Sequence, residues 1–150
     1  CRYGAGLMAV DRSFIGYSLP DYEFEVSRER VERFASAIGV DRSRVDPDVA
    51  PLTFMKVIEG ENDSSRRILD ALGVELKRVM HAEQSFDYLE PIRIGERLSV
   101  RRSVTDIYDK KNGAMEFIVI EAAMQRQDGR LVGRSRQLVL VRNPQGGATQ

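Results

Sequence analysis

Residues 50–59 read APLTFMKVIE, so a proline leads directly into a short apolar run. We predict a helix over residues 52–59, because five of these eight residues are large and apolar (Leu52, Phe54, Met55, Val57 and Ile58). They fall on most sides of a helix rather than on one stripe, which indicates a buried helix. A buried helix needs a surrounding layer, and the rest of the chain must supply it.

The segment before this helix predicts a strand and a longer helix. Residues 19–26 alternate apolar and polar side chains, as a half-buried strand does. Ser27 is placed to cap the helix that follows, and Gly39 is placed to end it. Beyond the apolar run, Asn62, Asp63 and Ser64 are predicted caps of a further helix.

The second half of the chain predicts long strands joined by hairpins. Asn112-Gly113 and Asp128-Gly129 are typical hairpin turn dipeptides. Residues 117–120 are all apolar, so their strand should be covered on both faces. The predicted strands are residues 76–89, 98–108, 114–125 and 131–141. A strand, then helices, then antiparallel strands predicts an α+β fold with helices against one sheet face.

Composition excludes several functional classes. The chain has 23 basic and 23 acidic residues, so its net charge is zero. It therefore lacks the excess of basic residues that nucleic-acid-binding proteins use to contact phosphates. No apolar run approaches the ~20 residues of a membrane span. Cys1 and His81 are the only cysteine and histidine, so neither a zinc site nor an internal disulfide is expected. A chain without disulfides favours a reducing compartment, and we expect the cytoplasm.

Four segments, in order, carry a family resemblance: Ile15-Gly16 with Phe34–Gly39; Ala50–Phe54; His81–Phe86 followed by Pro91 and Gly95–Leu98; and the Asp128-Gly129 hairpin with Arg142. Together they resemble the N-terminal, FAS1-like dehydratase type of MaoC-like domain. The resemblance implies a hotdog fold, in which a curled antiparallel sheet wraps around a central helix, here Thr53–Glu59. It divides the chain into a disordered or cloning-derived N-terminus (residues 1–13), a single hotdog domain (residues 14–143) and a flexible tail (residues 144–150).

The resemblance also implies a function. Family members hydrate enoyl thioesters or dehydrate (R)-3-hydroxyacyl thioesters carried by CoA or acyl carrier protein. They need no metal or redox cofactor. Hotdog domains usually pair through the sheet, so a homodimer or heterodimer is expected. The expected ligand is an acyl thioester, bound near that interface.

The loop after the first helix departs from the family pattern. Catalytic members carry an Asp and a His in a loop resembling GDxNPxH, and this acid/base pair moves a proton and activates water. Here residues 39–47 read GVDRSRVDP, so Val40 takes the place of the Asp and no His follows. The remaining catalytic candidates are Asp41 and His81. Either the chain is a non-catalytic partner subunit, or the sequence lacks a stretch near Val45.

Other residues carry alternative interpretations. The resemblance places Pro51, Thr53, Phe54 and Glu83 at the substrate, and Thr53 is also a candidate helix cap. His81 either lines the thioester mouth or belongs to a polar strand face.

Three hypotheses stay open at this point. The chain is a subunit of a dehydratase or hydratase with its own residual chemistry, or it is an acyl-binding partner of a catalytic subunit. The third is a hotdog thioesterase that uses Glu59 or Glu61, which otherwise form a solvated helix end.

Overall fold

The computed structural model describes residues 9–144 as one five-stranded antiparallel sheet with helices on one face. The strand order is β1-β3-β4-β5-β2. The strands are β1 (Tyr22–Glu25), β2 (Val79–Tyr88), β3 (Arg97–Lys110), β4 (Met115–Arg126) and β5 (Leu131–Arg142). Both hairpins lie where the turn dipeptides predict them, and Gly113 and Gly129 have positive φ. β2 is an edge strand, because it pairs only with β5.

Three α-helices pack on the sheet: α1 (Arg28–Ile38), α2 (Met55–Glu59) and α3 (Ser64–Ala71). The predicted ends of α1 are confirmed. The Ser27 side chain accepts a hydrogen bond from the Arg30 amide, and Gly39 adopts the left-handed conformation at φ 74°. Pro51 precedes a 3-10 turn (Leu52–Phe54) that runs directly into α2. The curled sheet around α2 confirms the predicted hotdog fold.

The start of α3 corrects one expectation. Asn62 and Asp63 do not cap the helix with their side chains, and both have positive φ, 58° and 52°. They form a tight left-handed link that brings α3 back towards the sheet. Ser64 instead donates its hydroxyl to the carbonyl of Glu59 at the end of α2. This bond satisfies one of the carbonyls that a helix end leaves without an intrahelical partner.

The apolar run is buried on one side only, which corrects the prediction of burial all round. Phe54, Met55 and Ile58 are fully buried against the sheet. Leu52 is 72% exposed, and Lys56 is also exposed. On the exposed side, Lys56 contacts Gln84 of the edge strand β2, and Leu52 lies near Ile38 at the end of α1.

β4 crosses the middle of the sheet and is covered on both faces, as predicted. Ile118 and Ile120 pack on the helix-facing side, and Phe117 and Val119 pack on the opposite side. Val104 pairs with Ile120, and Leu138 pairs with Val119, so same-face neighbours extend each cluster across the sheet.

Residues 10–12, which precede the first strand, are held against the sheet. Val10 is buried, and its amide donates to both carboxylate oxygens of Glu116, at 3.0 and 3.1 Å. Arg12 forms ion pairs with Glu116 and Asp109. A buried carboxylate on β4 therefore holds this segment. Residues 1–8 and 145–150, expected to be disordered or flexible, lie outside the described residues.

Gly133 lets α2 approach the sheet closely. A Cβ atom at this position would lie 2.5 Å from the Asp87 carbonyl oxygen and 2.6 Å from the terminal methyl of Met55. Both distances are too short for carbon, and the first neighbour is backbone that cannot move away. The seat of α2 on β5 therefore requires a residue without a side chain.

Gly133→Ala should lower the free energy of unfolding by about 1–3 kcal/mol, the usual cost of overpacking. Denaturant unfolding measures this change. Ser85→Ala, on the exposed side of β2, is the control and should change it by less than about 0.5 kcal/mol. An equally small effect of Gly133→Ala would mean that α2 does not lie this close to the sheet.

Candidate functional site

An apolar cleft lies beside the start of α2. Its volume is about 460 Å³. The wall is formed by the end of α1, the following loop and the 3-10 turn before α2: Ile38, Val40, Arg42, Val45, Asp46, Val49, Ala50, Pro51, Leu52 and Thr53. Exposed apolar side chains are costly in water, and Ile38, Val45 and Leu52 are all exposed here. This cleft is larger and more apolar than the one beside Asp21 and Arg101, which measures about 140 Å³, and it is the leading candidate for a ligand site.

Both charged residues of the cleft already have partners within the chain. Arg42 donates to the carbonyls of Val49 (2.9 Å) and Pro47 (2.7 Å), so it links the start of the loop to its end. Asp46 accepts from the Asp48 amide at 2.9 Å and lies 3.8 Å from Arg93. The cleft therefore offers a ligand mainly an apolar surface.

A second, smaller cleft of about 270 Å³ adjoins the first near the end of β2. Its wall comprises Val49, Ala50, Leu52, Tyr88, Leu89, Glu90, Pro91 and Ile92. Leu89 is exposed, which extends the apolar surface to the sheet edge. The two clefts share Val49, Ala50 and Leu52.

Asp41, the first catalytic candidate, caps an exposed 3-10 turn (Arg42–Arg44). Its carboxylate accepts from the Ser43 hydroxyl (2.6 Å) and the Ser43 amide (3.0 Å), and these two bonds hold its pKa below the ordinary value. Asp41 is not among the residues that line the cleft. A carboxylate so placed and so stabilised as the anion is poorly suited to general acid catalysis.

His81, the second candidate, lies on the edge strand β2 and lines neither cleft. A β-bulge at Ala82 changes the face of the sheet to which the His81 side chain points. His81 pairs with Val139, whose side chain faces the helices. Glu83 pairs with Leu138, whose side chain lies on the opposite face. His81 therefore does not share a face with Glu83, Ser85 and Asp87, contrary to the strict alternation read from the sequence. The bulge adds one residue to β2, and a shift of one residue moves the side chains beyond it to the other face of the sheet.

His81 forms a hydrogen bond with the side chain of Gln84. Nε2 lies 3.1 Å from Oε1 of Gln84, which also accepts from Lys56. An amide oxygen can only accept, so His81 Nε2 is the donor. Within residues 9–144, no hydrogen bond or ion pair joins His81 to Asp41, and neither residue lines a cleft.

The expected substrate residues separate into two groups. Pro51 and Thr53 line the first cleft. Thr53 lies inside the 3-10 turn and its hydroxyl caps no helix. Phe54 is fully buried, and its ring packs edge-on against Phe24 and Phe34, so a ligand cannot reach it in this structure. Glu83 points to the face away from the helices, as a result of the bulge.

Glu59 is fully buried, which corrects its interpretation as a solvated helix end. Lys56 donates to Oε1 at 2.6 Å, Gln84 donates to Oε2 at 3.2 Å, and the Ser135 hydroxyl also donates to Oε2. The guanidinium of Arg102, itself fully buried, lies 3.5 Å from Oε2. Four groups surround this fully buried carboxylate, so a thioester cannot reach it in this structure.

Arg102 extends this cluster to Ser65 of α3 and Gln137 of β5, on the helix-facing side of the sheet. Its NH2 donates to Ser65 (2.6 Å) and to Gln137 (3.2 Å). Burial lowers the pKa of Arg102, and the nearby Glu59 carboxylate opposes that change. Ala122 lies between Arg102 and Ser135 in the sheet, and its small side chain leaves room for the guanidinium.

The sequence carries one signal for this cluster. Leu98, Val100 and Val104 mark the inward face of β3, and Arg102 occupies the same alternation. An arginine at an inward position requires a buried partner. That partner, Glu59, lies 43 positions earlier in the chain, so spacing alone does not identify it.

Glu61, the other carboxylate considered for thioester hydrolysis, forms a 2.7 Å ion pair with Arg30 of α1. It lies away from both clefts.

Arg102→Met should lower the free energy of unfolding by about 3–5 kcal/mol, because it leaves the Glu59 carboxylate buried without its guanidinium. Adding Glu59→Gln should recover part of that loss. Arg101→Met is the matched control. It breaks an exposed ion pair with Asp21 and should cost less than about 1 kcal/mol. Denaturant unfolding of the unaltered chain, Glu59→Gln, Arg102→Met and the double variant gives the coupling energy. Equal losses for Arg102→Met and Arg101→Met would contradict the buried pair.

Burial raises the pKa of Tyr22 to about 12, and its hydroxyl donates to the Ile58 carbonyl of α2 at 2.7 Å. The unfolded chain loses this proton first, near the ordinary tyrosine pKa of about 10. The contribution of Tyr22 to stability is therefore complete below about pH 10 and is lost as the pH rises towards 12. Ultraviolet titration of tyrosinate should show a late-ionising group that Tyr22→Phe removes. An unchanged titration curve in the variant would contradict this.

Within residues 9–144, no helix has the length and apolar character needed to cross a membrane.

Comparison with known families matches residues 13–134 to the FAS1-like, dehydratase domain region. A UPF0336 protein of Streptomyces avermitilis is 35% identical over 113 residues, which cover 67% of this chain and 75% of the relative.

Two solved structures share the fold. The HadBC (3R-hydroxyacyl-ACP dehydratase) complex of Mycobacterium tuberculosis superposes with a TM-score of 0.69 at 21% identity, over 85% of this chain and 96% of the matched chain. A MaoC-like dehydratase superposes with a TM-score of 0.71 at 21% identity, over 87% of this chain and 42% of that longer chain.

Proposed function

Because the chain belongs to the FAS1-like dehydratase domain family, we propose that it is the acyl-binding subunit of a 3-hydroxyacyl-thioester dehydratase whose catalytic acid/base pair lies on a partner subunit. One observation carries this proposal. The chain has an apolar cleft, but neither candidate catalytic residue lines it: Asp41 caps an exposed turn, and His81 bonds to Gln84 on the edge strand.

The chemistry explains why this separation matters. Dehydration removes a proton from C2 and the hydroxyl, as water, from C3. Hydration is the reverse. One group must accept the C2 proton and one must protonate the departing hydroxyl, so both must lie within hydrogen-bond reach of the same substrate. Neither Asp41 nor His81 lines either cleft, which supports a catalytic pair supplied from outside the chain.

This subunit contributes binding and exclusion of water. Ile38, Val45 and Leu52 present apolar surface to the acyl chain, and each methylene that leaves water contributes about 0.8 kcal/mol. Arg42 keeps the loop in place through two carbonyls. The proposed chemistry is acid/base chemistry on a CoA or carrier-protein thioester, and it requires no metal or redox cofactor. We place this activity in the cytoplasm.

We propose that the partner subunit docks along β2. This strand presents ten residues whose outer edge has no strand partner in the described structure, and an open edge of that length readily accepts another strand. The dehydratase named HadBC is a complex of different subunits, which favours a heteromeric assembly here as well. Docking at β2 would bring the partner next to Leu89 and the second cleft.

The thioesterase hypothesis has less support. A helical carboxylate must reach the thioester carbonyl or a water molecule. Glu59 is fully buried with both oxygens engaged, and Glu61 pairs with Arg30 outside the clefts.

Hydration of crotonyl-CoA tests the proposal. The purified chain alone should show a rate at least 100-fold below that of its complex with a MaoC-like subunit that retains the Asp/His loop, because a general acid/base pair contributes ~10²–10⁴-fold. Asp41→Asn and His81→Gln in this chain should change the rate of the complex less than about threefold. Hydration by the isolated chain that Asp41→Asn abolishes would overturn the proposal.

A further inference from the structure

We infer that Leu52 is the residue that limits acyl-chain length, because its side chain separates the two apolar clefts. This inference rests on the proposed function, since it assumes that the first cleft holds an acyl chain. Leu52 borders both clefts, as do Val49 and Ala50. Of these three, only Leu52 has a largely exposed side chain, at 72%.

Val49 and Ala50 form a fixed floor beneath both clefts. The Ala50 amide donates to the Ile92 carbonyl at 2.8 Å, and the Ile94 amide donates to the Asp48 carbonyl at 2.8 Å. Val49 bridges to Arg93 through the backbone. A floor held by main-chain hydrogen bonds moves little, so any barrier between the clefts must come from a side chain above it.

Leu52 supplies that barrier from a fixed backbone. Pro51 restricts the chain on one side, and the Phe54 amide donates to the Pro51 carbonyl at 2.9 Å. Phe54 is fully buried, so the turn is anchored in the core. Only the isobutyl group of Leu52 is free to change position, and its removal would leave the turn in place.

The charges of the clefts favour a hydrocarbon occupant. Arg42 and Asp46 in the first cleft already have partners within the chain. Glu90, the one charged residue that lines the second cleft, pairs with Arg126 and Arg130. An uncharged acyl tail therefore enters without leaving a charge unpaired. A chain that fills the first cleft meets Leu52, and a longer chain must pass it to reach Leu89.

Calorimetric titration with saturated acyl-CoA thioesters of increasing length tests the inference, with free CoA as the reference. In the unaltered protein the affinity should rise about fourfold for each methylene that enters the cleft and then level off. Leu52→Ala should move the plateau to longer chains, and Leu52→Trp should move it to shorter chains. Leu76→Ala is the control: Leu76 is 45% exposed, lines neither cleft, and its replacement should leave the plateau unchanged.

The outcomes separate the two claims. If the unaltered chain, alone and in complex with a catalytic subunit, binds no acyl-CoA more tightly than free CoA, the proposed function and the role of Leu52 both fall. If it binds acyl-CoA but the plateau stays at the same length in both Leu52 variants, only the role of Leu52 is overturned. Thermal unfolding of each variant confirms that the fold is retained, as expected for so exposed a side chain.

Discussion

The close packing of α2 against the sheet is the constraint on which the other features of this chain depend. Phe54, Met55 and Ile58 fix the buried side of the segment, and Gly133 permits the close approach. This placement leaves the opposite side, with Leu52 and Lys56, open to the surface. The same segment therefore closes the core through Phe54 and α2 and forms one wall of the cleft through Leu52 and Thr53 of the preceding turn.

A buried charge at the end of α2 follows from this placement. Glu59 faces the sheet rather than solvent. Arg102 lies beside it, at an inward position of β3 where the other side chains are apolar. A buried ion pair is seldom much more stable than an apolar pair, but either member alone is costly. The pair therefore constrains the position of α2 along the sheet, and through α2 it constrains the cleft.

Much of the fold could be predicted from the sequence, because local chemistry determines it. Ser27 and Gly39 mark the ends of α1, and the Asn-Gly and Asp-Gly dipeptides mark both hairpins. The direction of His81 could not be predicted, because the bulge at Ala82 leaves no composition signal and reverses the facing of one residue. The burial of Glu59 was missed for a different reason: it depends on a contact with a strand 43 positions later. The clefts depend on how three separate segments meet, which no local pattern encodes.

In the proposed assembly, this chain binds the acyl tail, and a partner subunit supplies the acid and the base. The most direct test is photochemical labelling with an acyl-CoA that carries a diazirine at the end of its chain, applied to the assembled complex and mapped by mass spectrometry. The account predicts that the label is found on this chain, within residues 38–53 or 88–92, which line the clefts. A label confined to the partner subunit, or to parts of this chain away from the clefts, would contradict it.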